Sequence, residues 1–155
     1  MRYMLTECNS TTIELQREVQ ILHHYMGLEK ERFGTRLDIN INVGGDIQQN
    51  QIAPLLLMPF LENSFKHGAN QMTDLAWISV DLTVTDKLLK FKLINGKPEF
   101  PGNRENSSQV GLINARKRLA LLYPGVHELR ITEDADAFIV MLMIQLDKIK
   151  LPEAS

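Results

Sequence analysis

The most informative segment of this chain is Pro59-Phe60-Leu61-Glu62-Asn63-Ser64-Phe65-Lys66-His67-Gly68. Its apolar residues, with the leucines at 55–57, recur at helical spacing and predict a helix packed on a core. Asn63, Lys66 and His67 fall near one another around that helix. With Glu62 they indicate a cleft edge lined by a carboxylate, a carboxamide, a cation and an imidazole. From spacing alone, the solvated polar edge of an amphipathic helix explains the pattern equally well.

Length and composition are those of one ordinary globular domain. The chain has 155 residues, 44% of them hydrophobic and 23% charged, so it can bury a substantial core. Its net charge of -2 gives no general attraction to nucleic acid, and no basic patch with interleaved aromatic residues occurs. Cys8 is the only cysteine, which excludes an intrachain disulfide and is compatible with a reducing cytoplasm. We therefore expect no nucleic-acid partner.

A membrane-spanning segment is not predicted. The longest apolar run, Ala53 to Leu61, is far shorter than the roughly 20 residues that cross a bilayer. Met1 is not followed by a basic and then apolar leader. We expect a soluble chain, with any membrane tether outside it.

The first half of the chain predicts a helix, a strand and a second helix. The first helix runs from about Asn9 to Phe33 and is capped by Ser10 or Thr11. Its apolar stripe comprises Leu15, Val19, Leu22 and Met26 and is widened by Ile21, Tyr25 and Leu28. Strict alternation from Leu37 to Val43 predicts a half-buried strand, and the second helix covers Ile52 to Gly68.

The second half predicts four strands, one long polar loop and a third helix. They are the hairpin strands Leu75–Thr85 and Lys87–Ile94, the loop Asn95–Gln109, the helix Val110–Tyr123, and the strands His127–Thr132 and Phe138–Leu146. This order predicts an α+β fold, with a mixed or antiparallel sheet and helices on one face.

Three segments together resemble the GHKL superfamily, whose ATP-binding domain is shared by sensor histidine kinases, DNA gyrase, heat-shock chaperones and mismatch-repair ATPases. The segments are Leu28–Phe33, Pro54–Gly68, and Val110–Leu119 followed by Leu122-Tyr123-Pro124. The likeness is greatest to LytS-type sensor histidine kinases and covers nearly the whole chain. It implies a two-layer α/β sandwich of the Bergerat type, with a mixed, mostly antiparallel sheet and helices on one face.

The resemblance also implies a site for ATP and Mg²⁺. Asn63 matches the asparagine that holds the metal through its side-chain oxygen, a ligand that suits a hard cation. Glu62 matches a glutamate proposed to polarise the incoming nucleophile or to order a metal-bound water, so Glu62 and Asn63 are the expected catalytic pair. Lys66 and His67 match positions that meet phosphate or ribose.

Two further segments would complete the site. Gly111 matches a glycine at the start of the final helix, where the backbone approaches phosphate, and Leu112 and Asn114 belong to the same motif. The loop from Pro98 to Gln109 corresponds to the ATP lid, whose closure would exclude water from the nucleotide. Gln109 stands where the lid of this superfamily usually has a glycine.

The adenine half of the expected site departs from the usual pattern. Asn95 and Gly96 stand where an Asp-x-Gly-x-Gly segment usually provides an aspartate that accepts a hydrogen bond from the adenine amino group. The Asn95 carboxamide can accept the same bond, but its net strength falls from about 1.5–3 to about 0.5–1.5 kcal/mol because charge assistance is lost. A second interpretation stays open, in which Asn95 is only a turn residue before Gly96.

The expected phosphoacceptor histidine is missing from this stretch of sequence. It lies in a segment resembling Pro-His-Phe in these kinases, which does not occur here, and the contexts of His23 and His24 do not match it. The start of the chain looks like the tail of a dimerisation helix. We expect residues 1–33 to hold that tail and the first helix, 34–148 to form the catalytic domain, and 149–155 to be a C-terminal tail.

The leading hypothesis is the ATP-binding catalytic domain of a two-component sensor histidine kinase. It would donate the γ-phosphoryl of ATP to an upstream histidine and thence to a response regulator, as part of a homodimer and a cytoplasmic domain of an inner-membrane sensor. A second hypothesis is a degenerate domain that serves in protein interaction or dimerisation. A third is an ATPase of the gyrase or chaperone branch, in which Glu62 would activate water.

Overall fold

The computed structural model describes residues 12–69, 72, 75–97 and 106–151, with the backbone alone for 106–109. These residues form three α-helices and seven strands: β1 (Ile13–Glu14), α1 (Leu15–Phe33), β2 (Leu37–Gly45), β3 (Gln51–Ile52), α2 (Met58–His67), β4 (Ala76–Thr85), β5 (Leu88–Gly96), α3 (Asn106–Leu122), β6 (His127–Glu133) and β7 (Ala137–Gln145). Short 3₁₀ turns cover Gly34–Arg36, Ile47–Gln49 and Leu146–Lys148.

The five longer strands form one sheet in the order β2-β4-β5-β7-β6. β2 pairs with β4 in parallel, and every other neighbouring pair in this sheet is antiparallel. β1 and β3 form a separate antiparallel ribbon. The predicted α/β sandwich with a mixed, mostly antiparallel sheet is confirmed.

The alternating strand sequences place the helices on one face of the sheet. Along β4, Ile78 to Val84 alternate so that every second side chain is buried with the apolar residues of the helices. Outward-pointing Trp77 on β4 and Met141 on β7 are 38% and 46% exposed. The period of two therefore separates a core face from an open face.

The predicted hairpin is confirmed as β4 and β5, but β5 continues to Gly96, so Asn95 and Gly96 lie in the strand and not in the predicted loop. The two strands pair from Ile78 opposite Asn95 to Thr85 opposite Leu88, leaving Asp86 and Lys87 as the turn. Asp86 has φ of 55°, a left-handed conformation that Asp and Asn tolerate better than most residues. This register brings Asn95 to one end of the sheet.

The predicted start of the first helix was wrong. Residues Ile13 and Glu14 pair with Ile52 and Gln51 across the small ribbon, and α1 begins only at Leu15. Its N-cap is Glu14, which makes no side-chain capping bond, while Ser10 and Thr11 lie outside the described residues. The stripe from Leu15 to Met26 is buried as predicted, but Leu28 is 55% exposed.

The second helix is shorter than predicted. Ile52 belongs to β3, and α2 runs only from Met58 to His67, with Pro59 in its first turn where its missing N–H costs nothing. The residues between them form an irregular turn in which Leu55 has φ of 55°. A long-range strand pairing and this turn replace the first part of the expected helix.

The third helix begins earlier than predicted. α3 starts at Asn106, so the part of the expected lid from Asn106 to Gln109 is helical, and the part at 98–105 lies outside the described residues. Gly111 is consequently the sixth residue of α3 and does not stand at its start. The last two strands, β6 and β7, lie within one residue of their predicted bounds.

Candidate functional site

The polar residues of α2 differ in how deeply they are buried. Asn63 is buried, with 6% of its surface exposed, Glu62 and His67 are half-buried, and Lys66 is exposed. Ser64 is also buried, but its hydroxyl donates to the carbonyl of Leu61 at 2.6 Å and so is occupied within the helix. The Asn63 carboxamide is therefore the most deeply buried of the four predicted polar groups on this helix.

The end of α2 touches the end of β5. Gly68, which follows α2, lies so near Asn95 that a Cβ built on it would be 2.3 Å from Asn95 Nδ2. The same Cβ would be 2.5 Å from the carbonyl oxygen of Ser64. Gly68 is thus required by close approach, and this approach brings Asn95 of the sheet beside the polar helix.

Asn95 presents a buried hydrogen-bond acceptor. Its side chain is 1% exposed, and Nδ2 donates to the carbonyl of Gly96 at 3.1 Å. Within the described part of the chain, Oδ1 has no hydrogen-bond partner. A buried carboxamide oxygen without a hydrogen-bond partner costs about 1–3 kcal/mol of stability. The position therefore favours a ligand that donates a hydrogen bond.

Gly96 lies under an aromatic ring. A Cβ on Gly96 would be 2.5 Å from Nε1 of Trp77, which is on the neighbouring strand β4. The indole therefore covers the glycine on the open face of the sheet, while Asn95 points to the helix side. This packing fixes the backbone that carries Asn95.

Glu62 lies near α1. The Tyr25 ring packs edge-on against Phe65 of α2, with 5.5 Å between centroids and an angle of 77°. Burial, together with the smaller effects of the Glu29 and Glu62 charges, raises the pKa of the Tyr25 phenol to about 12. An anionic pair on α1 and α2 thus flanks this phenol.

The predicted residues on α3 are less well placed to meet a phosphate group. Gly111 and Leu112 are half-buried and Asn114 is exposed. As an interior residue of a regular helix, Gly111 donates its N–H along the helix and cannot offer it as a free terminal group. The structure brings α3 against α2, but Gly111 does not stand at the start of α3, where the resemblance places it.

Sequence reasoning missed a buried charge cluster beside α2. Glu18 on α1 is fully buried, and its Oε2 accepts a hydrogen bond from the N–H of Leu55 at 3.0 Å. Arg118 on α3 donates from Nη1 to the carbonyl of the same Leu55 at 3.2 Å. The phenol oxygen of Tyr123, also fully buried, accepts from the N–H of Ala53 at 3.1 Å.

The electrostatics of this cluster are dominated by burial. Desolvation raises the pKa of Glu18 to about 7, although the N–H of Leu55 and the Arg118 charge favour the carboxylate. Burial also raises the pKa of the Tyr123 phenol. One sequence signal was available for Glu18, since a charged residue interrupts the apolar stripe between Leu15 and Val19. Nothing in the sequence distinguishes Arg118 from its basic neighbours.

The described residues contain no group of three or more His, Cys, Asp and Glu side chains arranged to hold a metal ion. In the same part of the chain, no helix combines the length and apolar character needed to cross a membrane.

Comparison with solved structures identifies the class of fold. The chain superposes on the catalytic domain of histidine kinase ThkA with a TM-score of 0.58 and 7% identity, covering 88% of this chain and 95% of that one. It superposes on histidine kinase AdeS of Acinetobacter baumannii with a TM-score of 0.59 and 9% identity, covering 94% and 75% of the two chains. The fold is therefore that of a histidine kinase catalytic domain.

Sequence comparison gives relatives of one type, although no family model matches the chain. Sensor protein LytS of Staphylococcus epidermidis is 25% identical over 154 residues, covering 92% of this chain and 26% of that protein. Sensor histidine kinase BtsS of Escherichia coli K12 is 32% identical over 71 residues, covering 46% and 13%. The predicted resemblance to LytS-type sensor histidine kinases is confirmed. The chain spans about a quarter or less of the length of these relatives.

Proposed function

We propose that this chain is the ATP-binding catalytic domain of a two-component sensor histidine kinase. The observation that carries the proposal is the buried, unpartnered Oδ1 of Asn95 beside the polar helix α2. The similarity to LytS and BtsS and the shared fold support the same assignment.

Asn95 would recognise adenine. The exocyclic amino group of adenine is a donor that satisfies a buried carboxamide oxygen. Because Nδ2 is occupied by the Gly96 carbonyl, the amide keeps Oδ1 available and a base with a carbonyl at the same position would leave that oxygen unsatisfied. Gly96, packed under Trp77 on the opposite face of the sheet, would hold the backbone that carries Asn95 in place. We therefore expect a preference for ATP over GTP.

Asn63 would hold Mg²⁺. A hard cation prefers oxygen ligands and keeps several waters, so one carboxamide and the nucleotide phosphates suffice where the described residues form no acidic cage. Held by Asn63, the ion would supply positive charge beside the nucleotide phosphates. The fit rests on the burial of Asn63 on the helix that contacts Asn95 through Gly68.

The remaining residues would orient the reacting groups. Glu62, half-buried at the Tyr25 side of α2, would polarise or orient the incoming nucleophile. Lys66 and His67 would meet phosphate or ribose. On α3, Gly111, Leu112 and Asn114 would line the phosphate side only if the start of the helix rearranges around the nucleotide, since Gly111 now lies inside it.

The whole-protein activity would need segments outside this chain. The γ-phosphoryl group of ATP would pass to a histidine upstream of it and then to a response regulator. The parent would act as a homodimer, with this domain on the cytoplasmic side of the membrane and the membrane reached only through other segments. As the relatives are far longer than this chain, these are properties of the parent.

Calorimetric titration tests the proposal. Wild type should bind Mg-ATP saturably, bind Mg-GTP more weakly, and lose affinity for ATP when Mg²⁺ is chelated. Asn63→Ala and Asn95→Ala should each weaken binding, whereas Asn42→Ala, an exposed asparagine on the open face that bonds Asp81, should not. Absence of saturable, metal-dependent binding up to millimolar nucleotide would refute an active kinase domain.

A degenerate interaction domain is the second candidate. It is favoured by the position of Gly111 inside α3 and by Asn95 and Gln109, which stand where aspartate and glycine are usual. The discriminating variant is Asn95→Asp. If it created ATP binding that wild type lacks, degeneracy would be supported, and strong binding by wild type would exclude it.

A further inference from the structure

The turn that leads into α2 is centred on a strained residue. Leu55 has φ of 55°, a left-handed conformation that non-glycine residues seldom adopt. Such a conformation persists only where the surroundings determine it. At Leu55 the surroundings are side chains from two different helices.

Both backbone polar groups of Leu55 are held. Glu18 of α1 accepts its N–H at 3.0 Å, and Arg118 of α3 donates to its carbonyl at 3.2 Å. Two residues earlier, the N–H of Ala53 donates to Tyr123, which directly follows α3. Three buried or half-buried side chains therefore clamp the short turn from which α2 starts.

We propose that Glu18 and Arg118 are positioning residues of the Mg-ATP site, which through Leu55 set the start of α2 and couple it to α3. This inference rests on the proposed function. α2 carries Glu62 and Asn63, and α3 carries Gly111, Leu112 and Asn114. A displacement of α3 would pull on the Leu55 carbonyl through Arg118 and shift the start of α2, so the two helices would move together.

The coupling should affect one half of the site more than the other. Asn95 lies on β5, whose antiparallel pairing with β4 and β7 is independent of the Leu55 turn. Loss of Arg118 should therefore weaken contacts to metal and phosphate and leave contacts to the base. A general loss of folding would reduce both.

The test compares Arg118→Met with Arg116→Met, an exposed arginine on the same helix. Binding of Mg-ATP and of adenosine is measured by calorimetry well below the unfolding temperature of each variant. We expect Arg118→Met to lose roughly tenfold in Mg-ATP affinity, within the usual range for coupled sites, with adenosine affinity unchanged. Arg118→Lys, which keeps the charge and a donor, should recover part of the loss. Equal losses for both ligands, or none, would overturn the inference.

A second measurement separates this inference from the proposed function. Hydrogen exchange of the amides of Leu55 and of the first turn of α2 is followed without nucleotide. Arg118→Met and Glu18→Met, which remove the partners of the Leu55 carbonyl and N–H, should each speed exchange there, while Arg116→Met should not. If wild type binds no nucleotide, the proposed function fails, and faster exchange still supports the coupling of α3 to α2. Unchanged exchange in both variants refutes it.

Discussion

The two halves of the candidate site are built in different ways. Asn95 and Gly96 stand on β5, inside an antiparallel ladder, and are fixed by close packing against Gly68 and Trp77. Glu62 and Asn63 stand on a short helix whose start depends on the strained Leu55 turn and on side chains from α1 and α3. The first half is positioned by backbone and sterics, and the second by buried polar contacts.

Because of this difference, the two halves of the site should change their geometry in response to different perturbations. Packed strands have one arrangement, whereas a turn held by a charge pair responds to protonation and to the position of the helices that hold it. We call the part with Asn95 and Gly96 the base half and the part with Glu62 and Asn63 the phosphate half. We expect steric substitutions to affect the base half and changes of charge to affect the phosphate half.

The largest effect that we expect is on the stability of variants at Glu18. Its absence would contradict the difference described between the two halves of the site. Burial raises its pKa from 4.5 to about 7, so the folded state binds the proton more tightly than the unfolded chain. The contribution of Glu18 to stability is therefore full below about pH 4.5 and is lost as the pH rises to about 7, a change of about 3 kcal/mol. Glu18→Gln removes this titration.

Urea unfolding of wild type and Glu18→Gln at pH 5 and pH 8 measures the effect. The two proteins should have similar stability at pH 5, and the variant should be the more stable at pH 8, since it buries no charge. Arg118 and Tyr123 face the carboxylate, and the Arg118 charge favours its ionised form. If the difference in stability between the two proteins did not change with pH, Glu18 would not take up a proton on folding. The Leu55 turn, held by Glu18 and Arg118, would then not respond to charge.

The next effect is steric and concerns the junction of the two halves. Gly68→Ala places a Cβ 2.3 Å from Asn95 Nδ2 and 2.5 Å from the Ser64 carbonyl, and the latter is backbone that cannot rotate away. We expect a loss of about 1–3 kcal/mol in the free energy of unfolding, the usual range for overpacking, and weaker binding of adenosine.

The matched control is Gly27→Ala. Gly27 lies inside α1 with nothing within 4 Å of an added Cβ, so alanine should stabilise that helix by about 0.5–1 kcal/mol. Chemical denaturation of both variants gives the comparison. Equal stability of Gly68→Ala and wild type would mean that the two halves are not in the close contact described.

Most of the sheet was predictable because its pattern is local. Alternation along β4 and β5 and the two-residue turn at Asp86 specify the hairpin without reference to other parts of the chain. The first helix was extended too far because Ile13 and Glu14 pair with residues far along the sequence, which no local pattern reveals. α3 was started too late because Asn106, Ser107 and Ser108 have side chains that favour turns and caps.

The site was predictable only in part for similar reasons. The motif on α2 pointed to Asn63 and its neighbours, while the resemblance led to Asn95, whose burial and unpartnered oxygen depend on tertiary contact with Gly68. The Glu18–Leu55–Arg118 cluster joins three separate segments. The only indication in the sequence was the charge of Glu18 within the apolar stripe of α1. The spacing of residues does not identify the partners of Glu18.

The smallest effect that we expect comes from the packing of Gly96 against Trp77 in the base half. Gly96→Ala would place a Cβ 2.5 Å from the Trp77 indole, but Trp77 is 38% exposed on the open face and its ring can move outward. We expect a loss of at most about 1 kcal/mol in stability and a changed emission of Trp77, the only tryptophan in the chain. An unaltered emission spectrum in the alanine variant would place the indole away from Gly96 and remove the steric support inferred for Asn95.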